Sequence, residues 1–286
     1  MIFAMQISRE TNCGSISEIC QFFGQTRDAY YKIKRRKLKE RETFDKVISM
    51  VKVRRIDQPR EGGRKVLEAL HNDFEQEQLK IGRDKLFRIL ALYGMLVQRK
   101  RSGVRTTDSY HHFHKYKNLI KALKITKPNQ VWVADITYIR LTNKFCYLAL
   151  ITDLFSRKIV GYDISDTLEL AGCLRAFKRA QKAARPAPGL IHHSDRGSQY
   201  CSNEYVSLLK KHQVNLSMTE ENHYYENAIA ERVNGILKDE FYLDQSFANI
   251  RLAKGACDNA IKIYNNKRLH LSLNYKTPNE VYKMSA

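Results

Sequence analysis

The chain has 286 residues, and its 50 Lys and Arg against 30 Asp and Glu give a formal charge of +20. A hydrophobic content of 43% is enough to build packed cores, so this charge is carried on folded domains, and it is too large for an ordinary metabolic enzyme. No run approaches the roughly 18 apolar residues of a membrane-spanning helix, the start has no signal-peptide pattern, and the six cysteines (13, 20, 146, 173, 201 and 257) form no CxxC pair. The composition therefore speaks against a membrane protein, a disulfide framework and a zinc ribbon, and for an intracellular chain.

The charge is unevenly divided. Residues 1–128 hold net +15 and residues 129–286 net +5, which points to a polyanion-binding front half, with nucleic acid as the polyanion. In that half, Ser15 with Glu18 forms a capping-box pattern ahead of Ile16, Ile19, Cys20 and Phe23, and Gly24 ends the helix. Thr26 caps a second helix expected from Arg27 to about Lys39, with Ala29, Tyr30, Ile33 and Lys37 on its packing face. Arg35, Arg36 and Lys37 are its candidate DNA contacts. Two short helices about a glycine turn, the second basic, resemble a helix-turn-helix; a solvated basic hairpin is the alternative.

The pattern recurs further on. Val66, Leu67, Leu70 and Phe74 mark one helix, and Leu86, Phe87, Leu90 and Leu92 another before Gly94. Arg99, Lys100 and Arg101 follow as further candidate DNA contacts in a basic linker running to about Pro128. The histidines at 111, 112 and 114 in this linker are adjacent, cannot easily converge on one ion and are a poor metal tract.

From Gln130 the pattern switches to strands. Val131 to Ile139, Phe145 to Thr152 and Lys158 to Tyr162 are rich in β-branched and aromatic residues, and their short connections predict an antiparallel meander. Asp166-Thr-Leu-Glu169 reads as a capping box for a helix to about Ala184. A strand at 190–193, a helix from Asn203 to Lys211, a strand from Val214 to Met218 and long helices from about Tyr225 and Ala248 complete the order of a ribonuclease-H-like fold.

Three acids stand out. Asp135 lies in the middle of an apolar strand, where a carboxylate is costly without a partner. Asp195 follows the strand at 190–193, in a sequence that also reads as a plain turn. Glu231 lies off the buried stripe of Ile229, Val233, Ile236 and Leu237, on the same face as Asn227, Asn234 and Lys238. Alone, each acid also fits a structural or solvated role. Together, on rigid elements, they match what in-line phosphoryl transfer by two Mg²⁺ ions requires.

These residues also carry a resemblance. Trp132-Val-Ala-Asp135-Ile-Thr-Tyr138, Asp153-Leu-Phe-Ser-Arg-Lys-Ile-Val-Gly-Tyr162, His193-Ser-Asp195-Arg-Gly-Ser-Gln-Tyr200, Glu226-Asn-Ala-Ile-Ala-Glu231 and the tail Tyr264-Asn-Asn-Lys-Arg-Leu-His270 with Thr277-Pro278 resemble the OrfB-type DDE transposases of the IS-three insertion-sequence family, with a retroviral-integrase-like core. The family usually has Asp where Glu226 stands. The resemblance implies Asp135, Asp195 and Glu231 as catalytic ligands of two Mg²⁺ or Mn²⁺ ions, while Lys238 and Asn234, on the helix face of Glu231, are candidate DNA contacts by helix spacing. It further implies double-stranded DNA, both element ends and target, as partner, a homo-oligomer on DNA, and an upstream OrfA helix-turn-helix protein or a frameshift fusion to it. The setting is then the bacterial cytoplasm and nucleoid.

The expected architecture is α/β: a ribonuclease-H-like catalytic domain preceded by small all-α helix-turn-helix units. The expected limits are 1–60 and 61–98 for the two helical units, 99–128 for the linker and 129–286 for the catalytic core. The expected activity is cleavage of DNA and joining of a 3′-hydroxyl to a target phosphodiester. The alternatives are a nuclease of the same fold without strand transfer, and an inactive copy acting as a DNA-binding regulator.

Overall fold

The computed structural model describes residues 14–98, 114–220 and 228–284. The chain forms two compact units, one made of residues up to Ile56 together with Leu70–Leu96, the other of Asp57–Ala69 together with the chain from Val97 onward.

The first unit is helical. Helix α1 (Ile16–Phe22) has the capping box read from the sequence: the Ser15 amide donates to Glu18 Oε2 at 2.7 Å and the Glu18 amide to Ser15 Oγ at 3.2 Å. Cys20 and Tyr30 are buried together, flanked by Ile16, Ile19 and Tyr31, and Gly24 takes the left-handed conformation (φ +61°) that ends the turn. Helix α2 does not stop near Lys39 but runs from Arg27 to Asp57. The charged stretch through Lys39-Glu-Arg-Glu42 contains no helix breaker, and beyond it Phe44, Val47, Ile48 and Val51 are buried on one face until Pro59 forbids continuation. Lys37, placed by the sequence on the packing face, is exposed like Arg35 and Arg36, because the buried face is taken up by Tyr30 and the apolar residues from Phe44 onward.

The predicted helix through Val66 and Phe74 is two helices, α3 (Gly63–Ala69) and α4 (His71–Gln76), separated at Leu70. The break has a plain cause: Val66 is buried within the second unit and Phe74 within the first. Helix α5 (Arg83–Leu92) completes the first unit and is tied to α2 by Arg88 to Glu40 and by the Tyr93 hydroxyl, which donates to Asp45 Oδ1 at 2.5 Å.

The second unit is built on a five-stranded sheet of order β3-β2-β1-β4-β5, with β1 at Val131–Arg140, β2 at Phe145–Asp153, β3 at Ile159–Ser165, β4 at Ile191–Ser194 and β5 at Asn215–Met218. The first three pair antiparallel as the predicted meander, whereas β4 joins β1, and β5 joins β4, in parallel. This order and direction is the ribonuclease-H-like topology.

Helices α6 (Leu170–Ala184), α7 (Ser198–Cys201) and α8 (Asn203–Lys211) lie in the connections between β3 and β5. Residues of these helices bury Trp132, Ala134, Phe177, Tyr200 and Tyr205 in one core. Helix α9 (Ala228–Glu240) and α10 (Ile250–Asn266) cover the other face through Val233, Leu237, Ala260, Ile261 and Tyr264. A last helix, α11, spans Pro278–Met284.

The capping box predicted at Asp166 is not formed. Helix α6 starts later, after Glu169, and the Asp166 carboxylate instead pairs with Lys144 at 3.2 Å, from the end of β3 to the β1–β2 turn. The cysteines at 20, 146, 173, 201 and 257 are buried and unbridged.

Candidate active site

The sheet register fixes the relation of the two aspartates. Ala134 of β1 pairs with Ser194, the last residue of β4, in the parallel ladder, so Asp135 on β1 and Asp195 in the turn that leaves β4 each follow the last paired residues. Alternation along β1 puts Ala134 into the α6 core, while Val133 packs with Ala230 of α9, so the odd-numbered Asp135 belongs to the α9 face. Asn234 of α9 completes the link: its Nδ2 donates to Asp135 Oδ2 at 2.6 Å.

Helix periodicity then orders the rest. Glu231 lies one turn before Asn234, and Lys238 one turn after it. Val233 and Leu237 bury the opposite stripe in the sheet core, as the sequence pattern requires, and Glu231 is exposed. Asp195 is held at its turn by the Gly197 amide, which donates to Asp195 Oδ1 at 3.0 Å, while Arg196 Nε donates to Thr219 O at 2.7 Å. The same Asp therefore makes the ordinary turn and faces the site.

The acids are electrostatically coupled. Burial, then the neighbouring Asp195 charge, pushes the Asp135 carboxyl up to about 7, with a smaller contribution from Glu231 in the same direction. The Asn234 amide opposes that rise by bonding the charged form. Burial lowers the proton affinity of Lys238, while Asp135 and then Asp244 raise it, which places the Lys238 ammonium within the field of Asp135.

No three His, Cys, Asp or Glu side chains converge closely enough to hold one ion among the described residues. The donor chemistry nevertheless fits a divalent ion: three hard oxygen donors on a strand, a strand end and a helix, two of which repel each other in a way that a cation would relieve. Of the other sequence candidates, Arg35, Arg36 and Lys37 lie exposed on α2 in the first unit, and Arg99, Lys100 and Arg101 lie outside the described residues, as does Glu226.

Residues 125–223 and 212–278 each match an integrase core domain. The chain is 34% identical over 265 residues to an uncharacterized 31 kDa protein of insertion element IS600 from Shigella sonnei, covering 91% of this chain and 96% of that one. It is 33% identical to the transposase for insertion sequence element IS629 from Shigella sonnei (73% and 70% of the two chains) and 34% identical to the transposase for IS904 from Lactococcus lactis (74% and 91%). The chain belongs to the insertion-sequence transposases.

It is accordingly a DDE polynucleotidyl transferase that cleaves DNA and transfers the cut strand, and integrase-like cores of this kind work with divalent metal ions. Among solved structures, the magnesium-bound HTLV-2 integrase catalytic core domain is 19% identical and covers 55% of this chain and 97% of its own, with a TM-score of 0.45. Sequence reasoning missed one feature of this site: Asn234, read as a DNA contact, has its amide committed to Asp135. A carboxamide one turn from a candidate acid, on the face that meets the sheet, was the available signal.

Proposed function

We propose that this transposase excises and inserts an insertion sequence with Asp135, Asp195 and Glu231 as the ligands of two Mg²⁺ or Mn²⁺ ions. Ions bound there supply charge stabilisation to the attacking and leaving oxygens of an in-line phosphoryl transfer. The observation that carries the reading is that Asp135 and Asp195 each directly follow the last parallel pair Ala134–Ser194, with Asp135 bonded to the helix that bears Glu231.

The chain's own residues divide the remaining work. Asn234 keeps Asp135 turned toward α9 and favours its charged form. Lys238, on the same helix face, contacts a phosphate of the DNA end. Water attacks in the cutting step and the freed 3′-hydroxyl in the joining step, so no covalent enzyme intermediate is needed. The front half, with Arg35, Arg36 and Lys37 on α2 and Arg99, Lys100 and Arg101 in the linker, supplies most of the sequence-independent affinity for element ends and target. The working assembly is a homo-oligomer on double-stranded DNA in the bacterial cytoplasm, with an OrfA helix-turn-helix protein or its frameshift fusion as the source of further end recognition.

The deciding experiment incubates the protein with labelled terminal-repeat DNA, Mg²⁺ and a target plasmid. Joined products, absent when Mg²⁺ is chelated and absent in Asp135→Asn, support the reading. Cutting without joining favours a nuclease, and DNA binding with neither step an inactive copy.

A further inference from the structure

Helix α9 carries Glu231 in its first turn, but its last turn is where charged side chains hold it. Glu240 is the last residue of α9, and its carboxylate accepts from Lys65 Nζ at 2.7 Å and from Arg268 Nε and Nη2 at 2.9 and 2.7 Å. All three side chains are largely buried. One residue earlier, Arg60 Nη1 donates to Asp239 Oδ1 at 2.5 Å and to the Asp239 carbonyl at 3.3 Å, while its Nη2 donates to the Gln98 carbonyl at 2.6 Å.

Arg60 and Lys65 come from Asp57–Ala69, the short stretch that belongs to the catalytic unit although the chain on both sides of it belongs to the other. The stretch is built in firmly. Gln58, Glu61 and Val66 are fully buried, Gln58 Nε2 donates to the Lys267 carbonyl at 3.5 Å, and Lys267 pairs with Asp57.

We propose that Asp57–Ala69 is a brace whose Arg60 and Lys65 position Glu231 by fixing the C-terminal end of its helix. Two cations at a helix C-terminus meet the negative end of the helix dipole, and Arg60 also satisfies a terminal carbonyl that has no partner within the helix. Burying Lys65 is costly unless the pairing geometry is held, so the contact resists displacement. Glu231 lies nine residues from Glu240, about 13.5 Å along one rigid helix, and a tilt at one end is carried to the other.

This inference rests on Glu231 being a metal ligand. Its test uses the full chain with Lys65→Met, Arg60→Leu, the conservative Lys65→Arg and, in parallel, Glu231→Gln. Expected for Lys65→Met and Arg60→Leu is a strand-transfer rate lowered about 10- to 100-fold, the scale of a misplaced catalytic group. The Mg²⁺ concentration for half-maximal rate should rise, end-DNA affinity should not change, and amide exchange across 228–240 should be faster without metal. Lys65→Arg should recover most of the rate.

A loss of rate that merely follows the loss of folded protein, at unchanged Mg²⁺ dependence and unchanged exchange of α9, overturns the proposal, as does full activity in both brace variants. Should Lys65→Met fail to fold, Arg60→Leu decides alone, since the Asp239 carboxylate it meets is partly exposed. Full activity in Glu231→Gln would instead remove the premise, whatever the brace variants do.

Discussion

The two aspartates and the glutamate of this transposase are held in place by different means. Asp135 lies within β1 and Asp195 in the turn directly after β4, one residue beyond the last parallel pair Ala134–Ser194, so the sheet anchors both. Glu231 is held through a helix that touches the sheet by its apolar stripe, by one amide-to-carboxylate hydrogen bond and by ion pairs at its far end. The pair of aspartates is thus a template anchored by the sheet, and the glutamate is the acid that a shift of its helix would move. That difference ranks the effects of substitutions.

The largest effect is expected at the acids themselves. Asp135→Asn, Asp195→Asn and Glu231→Gln are nearly isosteric, and each should reduce strand transfer by at least about 10³-fold, because an amide oxygen is a poor ligand for a hard cation. End-DNA binding in a gel shift and the melting temperature should stay close to those of the parent. Mn²⁺, which tolerates looser coordination, should restore a trace of activity to Glu231→Gln and none to the aspartate variants, since only α9 can readjust. Equal rescue of all three would erase the contrast between template and movable acid. Full activity in any one would remove that residue from the site.

Next is the sheet side. Gly161 of β3 lies against α6 so closely that a Cβ there would stand 2.5 Å from the Ala176 carbonyl oxygen and 2.6 Å from the Ala180 Cβ. The obstacles are a backbone atom and a methyl fixed on a helix, so the helix itself must shift. Gly161→Ala should cost about 3 kcal/mol, the upper end of overpacking effects, read as a drop in the denaturant midpoint. A stability change within about 0.5 kcal/mol, the range of an ordinary surface substitution, would mean that the sheet is not the rigid half.

A smaller effect is expected at Lys238, on the helix side. Lys238→Ala should slow end cleavage about 10-fold, the scale of one lost charged contact, against little change for the exposed Lys210→Ala on α8. Equal effects of the two would leave Lys238 as an ordinary surface cation.

Much of the template was legible in the sequence. The strands showed as β-branched runs, and Asp135 stood out because a carboxylate in such a run requires a partner. The stripe of Val233 and Leu237 correctly put Glu231 on the other side of its helix. What holds that helix was not legible. Lys65 and Glu240 are 175 residues apart and Arg268 is 28 beyond Glu240, and such pairs leave no local periodicity. The full length of α2 was hidden by a charged stretch that looks like a terminus, and the break at Leu70 by an apolar spacing that runs on unbroken although its residues serve two separate units. Local pattern reports which face of an element is buried, but not which body buries it.

The smallest effect near neutral pH comes from two buried histidines, one on each side of the comparison. His192 of β4 lies among Phe177, Tyr200 and Tyr205, with its Nε2 at 3.0 Å from the Tyr205 hydroxyl, and burial pushes its imidazole down to about 3. His270 packs edge-on against Tyr264. Burial, and then Arg268, Lys65, Arg157 and Arg232, lowers it to about 2. Both folded values lie below the unfolded value of about 6.5, so the unfolded chain takes up protons first as pH falls. Each histidine therefore contributes stability that is whole above pH 6.5 and is lost toward pH 3, at about 1.4 kcal/mol per pH unit for each group and below about 1 kcal/mol at pH 6. Denaturant titrations from pH 7 to pH 5 on the parent, His192→Gln and His270→Gln should show the slope reduced by one proton in each variant. The two should differ in place: amide exchange on mild acidification should rise in β4 through His192, and in the last turn of α9 through His270. Since both folded values lie well below pH 5, acidification lowers the opening free energy of both regions alike, and β4, paired with β1 and β5 on its two sides, should remain the slower to exchange; an earlier opening of β4 would reverse the assignment of rigid and movable halves.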